Sequence, residues 1–230
     1  MPRYRIRYSK GGTARYISHL DMLRTFERAV RRAGLPVSLS QGFNPHPRFS
    51  FGLPLPVGIS GLNEYVDLDL EVVIPPDQLV SSLDSAMPPG ITVTGSCLVE
   101  EKEISLMAAT ERSDYLVRFE SELFPGGAGS IKRSLEEILN LTEIPVTRLK
   151  KDGRQVSSDI RPGLLRLLVK DEEAGTILVE MDLITGSSLN VRPREVIALI
   201  LDHCGLSGES CIPEVTRSRV SGAAGKDLFE

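Results

Sequence analysis

His19 and His46 are the residues closest to reaction chemistry in the first sixty positions. Two imidazoles can exchange protons near neutral pH, one as base and one as acid, which suffices for metal-independent RNA cleavage. A neutral imidazole can also ligate a metal, but no third ligand accompanies this pair. Cys97 is remote, and His203, Cys204 and Cys211 lie in the second half. Helix capping and loop ordering are the other roles open to both histidines. No GxSxG, HExxH or Walker A motif offers a different catalytic centre. Binding chemistry is better represented. Arg24, Arg28, Arg31 and Arg32 recur at helical spacing and form one stripe, either a solvated face or a ridge that tracks phosphates.

The stretch "SQGFNPHPRFSFGLPLPVG", residues 40–58, adds groups suited to unpaired bases. Gln41, Asn44, His46 and Arg48 supply donors and acceptors, and Phe43, Phe49 and Phe51 supply flat faces. Pro45, Pro47, Pro54 and Pro56 stiffen the backbone, so little entropy is left to lose on binding. The phenylalanines can equally plug the core while the prolines shape a turn. Lys10, Gly11 and Gly12 precede the arginine helix, where glycine N–H groups can close on an anion or simply turn the chain. "FPGGAGSIKR" (124–133) reads as a glycine-rich turn.

These residues need elements to position them. "YRIRYS" alternates with period two, as a half-buried strand does. Ser18 before Asp21 starts a helix that ends at Gly34, with Leu20, Leu23, Phe26 and Val30 facing the core. "PVSLS" reads as a short strand, and "EYVDLDLEVVI" (64–74) as a strand with one buried and one wet face. A helix after Pro75-Pro76 and the strand "ITVTGSCLVE" complete a β-α-β-β-α-β order. The second half repeats that order loosely, with a hairpin turning at Asp152-Gly153 and a helix opening at Pro193. The expectation is an α+β protein of two tandem ferredoxin-like halves. Residues 1–105 form a basic N-terminal half and 112–222 a C-terminal half, with a linker or bridging strand at 100–112 and a tail at 223–230.

Charge divides along the same line. Residues 1–60 hold ten Lys or Arg against Asp21 and Glu27, a net +8 within a chain of net −4. Nine of the ten cations are arginines, the residue best suited to bidentate phosphate contacts. Three scattered cysteines without a CxxC pair point to reduced thiols. No apolar run is long enough to span a bilayer, and "MPRYRIRYSK" lacks a signal-peptide core, so a cytoplasmic location without membrane contact is expected. Lys10, Arg15, Arg24, Arg28, Arg31, Arg32, Gln41, Phe43, Asn44, His46 and Arg48 are the candidate nucleic-acid-binding residues, with no metal site.

The run from Tyr16 to Leu70, with its "SHLD", "SQGFNPHP" and "LPVG" segments, resembles the start of the radical-SAM-linked family of bacteria. "DGRQVSSDIRPGLL" and "NVRPREVIALIL" extend the resemblance over most of the chain. It implies a radical SAM protein as partner, fused or encoded nearby, with genes for an E/G-type ribonuclease and ribosomal proteins as common neighbours. That partner would carry the [4Fe–4S] cluster and S-adenosylmethionine, with cobalamin in its cobalamin-binding-type domain. This chain has no CxxxCxxC and is expected to bind no cofactor itself. The resemblance implies a non-catalytic accessory protein that binds RNA or another substrate. Duplicated ferredoxin-like folds are also similar to RNA-processing proteins of the Cas6 type, which leaves an endonuclease using His19 and His46 as one alternative. An adaptor docking on the radical SAM partner is the other.

Overall fold

Alternating aromatic or aliphatic residues and arginines give β1 (Arg3–Lys10) two unlike faces. A computed structural model describes residues 1–230 except 101–102, 151, 187–188, 207–210 and 230. In it β1 is followed by α1 (His19–Arg32), β2 (Phe49–Phe51), β3 (Ser60–Asp69), α2 (Pro76–Ser85), β4 (Ile91–Val99) and a short α3 (Leu106–Ala109). Next come β5 (Arg112–Glu120), α4 (Gly127–Asn140), β6 (Pro145–Leu149), β7 (Gln155–Asp159), β8 (Leu164–Glu173), β9 (Thr176–Ile184), α5 (Pro193–His203) and β10 (Glu214–Ser221). The fold is α+β. It forms two compact units, residues 1–111 with 217–230 and residues 112–216, so the chain passes from the second to the first within β10.

In the first unit β1 lies between β3 and β4, antiparallel to both, and β2 pairs antiparallel with β3. Tyr4, Ile6, Tyr8, Val66, Leu68 and Leu70 form the sheet's core face, packed against α1 and α2. The Ser18 hydroxyl caps α1 by accepting the Asp21 N–H at 3.1 Å, and Gly34 at φ +63° follows the last turn. Phe26 and Val30 are buried as expected, but Met22 and Ala29 complete the stripe in place of Leu20 and Leu23, and Leu20 is 66% exposed. At about 100° per residue Met22 and Ala29 flank Phe26 closely, whereas Leu20 points about 120° away.

The opposite face of this sheet is not wet. Arg5 donates to both Asp67 oxygens at 2.9 and 3.2 Å, and Asp69 accepts from Arg3 at 2.7 Å. Residues 222–229 and α3 cover these pairs, with Tyr65, Leu106, Val220 and Leu228 forming a second apolar cluster. Arg5 also donates to the Leu228 carbonyl at 2.6 Å, and the Arg7 guanidinium stacks 4.7 Å from the Phe229 ring centroid. The residues read as a tail thus form a layer of the first unit. The linker region holds α3, capped by Ser105, while 101–102 lie outside the described residues. "PVSLS" makes only the bridges Val37–Leu70 and Leu39–Pro47, and the second strand is Phe49–Phe51.

Arg217 ties β10 to β3. Its side chain is 0% exposed, and Nε donates to Glu64 Oε1 at 2.8 Å while Nη2 donates to Glu64 Oε2. A Cβ at Gly61 would stand 2.5 Å from Glu64 Oε1, so glycine there makes room for the carboxylate.

In the second unit β9 lies between β5 and β8, antiparallel to both, with Val117, Phe119, Ile177, Val179 and Met181 buried. The glycine-rich turn becomes the start of α4, whose Ala128 N–H donates to Glu172 Oε1 at 3.3 Å. β6 and β7 form a separate hairpin. Arg148 of β6 grips Glu195 of α5, Nε to Oε1 at 2.7 Å and Nη2 to Oε2 at 2.6 Å. Burial alone would raise the Glu195 pKa, but these bonds more than offset it and hold the group below its ordinary value. Among the described residues no helix is long and apolar enough to cross a membrane.

Arg217→Met is expected to destabilise the protein by about 3–5 kcal/mol, because Glu64 stays buried without its main partner. Adding Glu64→Leu should recover much of that loss in denaturant unfolding; an Arg217→Met loss under about 1 kcal/mol would remove the pair from its structural role. Glu195 supplies stability that is present above its unfolded pKa and lost as pH falls through its lower folded value. Acid unfolding curves should show this component, and Arg148→Gln should remove it.

Candidate nucleic-acid interface

Residues 38–48 fold back on themselves beside α1. Ser40 N–H donates to the His46 carbonyl at 2.8 Å, Arg48 N–H to Ser38 O at 3.0 Å, and His46 N–H to Ser40 Oγ at 3.0 Å. These bonds hold Gln41 to Pro45 as a protruding tip, with Gly42 at φ +133° turning it. Phe43 crowns the tip at 107% exposure. An aromatic ring so placed has its apolar faces in water, an unusual position for a phenylalanine. Gln41 and Asn44 are exposed, and their side chains form no hydrogen bond among the described residues.

The other two phenylalanines are used internally. Phe51 and Phe49 meet the buried Phe26 of α1 edge-on, with centroids 5.4 and 6.0 Å apart. Phe51 also touches the His19 ring at 5.3 Å. The loop is therefore fastened to α1 by its base and free at its tip. His46 Nδ1 stands 3.7 Å from Glu27 Oε1, an ion pair only when the imidazole is protonated. His19 belongs to the first turn of α1 and Glu27 lies eight residues on, about 12 Å along the axis. The two histidines share no partner among the described residues.

The four arginines form one stripe on the side of α1 opposite Phe26. At about 100° per residue, Arg31, Arg24, Arg28 and Arg32 follow one another within an arc of about 100°, Arg31 and Arg24 nearest Glu27 and the loop and Arg32 farthest from it. Arg24 is 3.3 Å from Asp21. Arg32 donates to the Ala86 carbonyl. Arg28 and Arg31 are exposed and form no ion pair or side-chain hydrogen bond among the described residues. Arg48 pairs with Asp69 at 3.2 Å yet stays 46% exposed in its side chain. Arg15 stacks on Tyr16, 4.9 Å from the ring centroid. Lys10 does not join this surface. It is buried at 4% exposure and donates to the Ile17 carbonyl at 3.0 Å. Gly11 is likewise no anion cradle, since its N–H donates to Gly90 O at 2.8 Å.

Tyr16, which sequence spacing does not single out, and Leu20, which it places in the core, both add exposed apolar surface at the start of α1. The Leu20–Leu23 spacing suits a helix but lies off the buried stripe. Met22, Phe26, Ala29 and Val30 share a tighter helical phase, readable from the same residues. Among the described residues no group of three His, Cys, Asp or Glu side chains could hold a metal ion.

A bacterial family described as "Uncharacterized protein conserved in bacteria (DUF2344)" matches residues 3–193. The chain belongs to that family. No curated protein matches its sequence. Solved structures do match its fold. A chain in the crystal structure of a Cbf5-Nop10-Gar1 complex gives a TM-score of 0.53 at 12% identity, covering 94% of this chain and 48% of that one. A chain of the archaeal box H/ACA sRNP Nop10-Cbf5 complex gives 0.50 at 11% identity, covering 97% and 49%. A chain of an H/ACA RNP bound to a substrate RNA containing 2'-deoxyuridine gives 0.50 at 12%, covering 95% and 47%. The chain thus spans about half the length of the solved chains it matches, and at such identity the likeness is one of fold.

Phe43→Ala is expected to leave stability within about 0.5 kcal/mol of the parent, whereas Phe51→Ala should cost about 2–4 kcal/mol. Denaturant unfolding of both variants checks this; equal losses would mean that the tip ring is also packed.

Proposed function

We propose that this protein binds RNA through the exposed face of α1 and the tip of the 40–58 loop. The observation that carries the reading is Phe43, a fully exposed ring on a proline-stiffened tip whose base is fastened to an arginine-bearing helix. Arg24, Arg28 and Arg31 would hold backbone phosphates while Phe43 stacks on an unpaired base and Gln41, Asn44, His46 and Arg48 meet its edges. Arg15 stands near the start of the same helix, and Arg32 is partly committed to Ala86. Two of the matched structures are described as H/ACA ribonucleoproteins, one holding substrate RNA, which supports an RNA-related setting by analogy of fold.

In this reading the protein is an accessory, not the catalyst. A hydrolytic pair would have to meet one phosphodiester, and His19 and His46 contact α1 about 12 Å apart along its axis. The radical SAM partner rests on the sequence resemblance alone, and an adaptor role toward it has no separate support. We also read each unit as a ferredoxin-like half. The antiparallel order β4-β1-β3-β2 with helices α1 and α2 supports this for the first. The order β5-β9-β8 with α4 and α5 supports it for the second, β6 and β7 being an insertion.

Binding of single-stranded RNA to the intact chain, followed by fluorescence anisotropy across a salt series, tests the proposal. Replacing Arg24, Arg28 and Arg31 by Gln should flatten the log–log salt slope by about 2. Phe43→Ala should weaken binding by about 1–3 kcal/mol at every salt concentration. Absent binding, or binding that none of these substitutions moves, overturns the reading.

A further inference from the structure

The second unit, residues 112–216, is acidic as a whole, with thirteen Lys or Arg against seventeen Asp or Glu. Five of those cations nonetheless gather on the β6–β7 hairpin and the start of α5: Arg148, Lys150, Arg154, Arg192 and Arg194. A two-stranded ribbon is marginal by itself, and this one is fastened at its base. Ile144 N–H donates to Asp159 Oδ1 at 2.7 Å, Ile160 N–H to the Ile144 carbonyl at 3.0 Å, and Arg148 Nη2 to the Asn190 carbonyl at 2.7 Å. Between the ribbon and the start of α5 runs an open groove of about 650 Å³. Arg148, Lys150, Asp152, Val156, Ser158 and Arg192 line it.

Strand pleating accounts for this lining. Arg148 pairs with Val156 and Val146 with Ser158, so these side chains share one face of the ribbon. The Lys150 N–H donates to the Arg154 carbonyl at 2.8 Å and carries the ladder on. Lys150 thus follows Arg148 on the same face, about 6.7 Å further along the strand. The acidic groups nearby are already matched. Arg148 takes both oxygens of Glu195, and Arg154 Nε and Nη2 donate to Asp152 Oδ2 at 2.8 and 2.6 Å. Lys150, Arg192 and the exposed Arg194 form no ion pair among the described residues. Arg148 Nη1 and the Ser158 hydroxyl form no hydrogen bond among them either.

We infer that this groove is a second RNA-contact surface, which holds a run of backbone phosphates between Lys150 and Arg192. The step from Arg148 to Lys150 is close to that between neighbouring phosphates of a nucleic-acid strand. Those phosphates would accept from Lys150 Nζ, the Arg192 guanidinium, Arg148 Nη1 and Ser158 Oγ. Such contacts read no bases; they add affinity and salt dependence. An acidic protein segment would share the charge but needs apolar anchors, and the groove offers only Leu149 and Val156. The choice of RNA rests on the RNA-binding reading above; the positive groove itself does not.

Fluorescence anisotropy of a single-stranded RNA with the intact chain, across a salt series, tests the groove. Lys150→Gln with Arg192→Gln should weaken binding on the order of tenfold at 0.1 M salt and flatten the log–log slope by about 1.4. Lys132→Gln with Arg133→Gln removes the same charge from exposed positions of α4 and should leave both nearly unchanged. Circular dichroism checks folding. Lys150→Gln alone, at an exposed position, serves with about half the slope change if the double variant does not fold. Binding that falls equally in the two double variants, or in neither, overturns the inference. If the α1 and Phe43 variants lose binding while the groove variant keeps it, the groove is refuted and the RNA reading of the first unit stands. If the groove variant loses binding while those keep it, the groove stands and that reading falls. If polyglutamate binds saturably, and its binding rather than that of RNA is lost in the groove variant, the surface takes an acidic protein segment and the inference fails.

Discussion

The first unit depends on the ion pair between Arg217 and Glu64. Both side chains are buried, and a buried carboxylate is tolerable only when a charge and well-aligned donors accompany it. The guanidinium fork meets both carboxylate oxygens, and its Nη2 reaches on to the Leu53 carbonyl at 2.7 Å. One arginine therefore fixes the strand that carries Glu64 and the end of the loop that follows Phe51. Gly61 leaves the space this needs. Removing one partner of such a pair is costly, whereas replacing both by apolar residues of like volume is often neutral.

That anchor explains how one loop can be rigid and exposed at once. Leu53 is tied to Arg217, Phe49 and Phe51 are packed on Phe26, and Gly58 N–H donates to Arg15 O at 2.8 Å. With its base and far end fixed, the tip at Phe43 can protrude without making the segment a floppy linker. The phenylalanines of the loop divide: Phe49 and Phe51 plug against Phe26, and Phe43 stays in solvent.

Local signals in the sequence were legible because they act over short spans. Ser18 and Asp21 marked the start of α1, Pro193 that of α5, and strict alternation marked β1. Partners far apart in the chain were not legible. The alternation of Asp67 and Asp69 with Val66 and Leu68 is the pattern of a solvated face, yet Arg5, Arg3 and residues 222–229 cover it. Periodicity reports that a face is polar and not what lies on it. Lys10 read as a surface cation for the same reason. Nothing near it in sequence indicates that its ammonium turns inward toward the Ile17 carbonyl. The 40–58 loop could be recognised as ordered from its phenylalanines, but which ring stays outside depends on packing against α1.

The entire second unit is spliced into the first, between Glu111 and Arg217. During synthesis the ribosome delivers Glu64 some 150 residues before the arginine it requires. Until then the early half of the nascent chain carries a carboxylate that has to remain hydrated, and its loop lacks the Leu53 tether. The later unit has no such wait. Maturation on the ribosome thus runs against chain order, with the inserted unit free to close first and the leading one completed last.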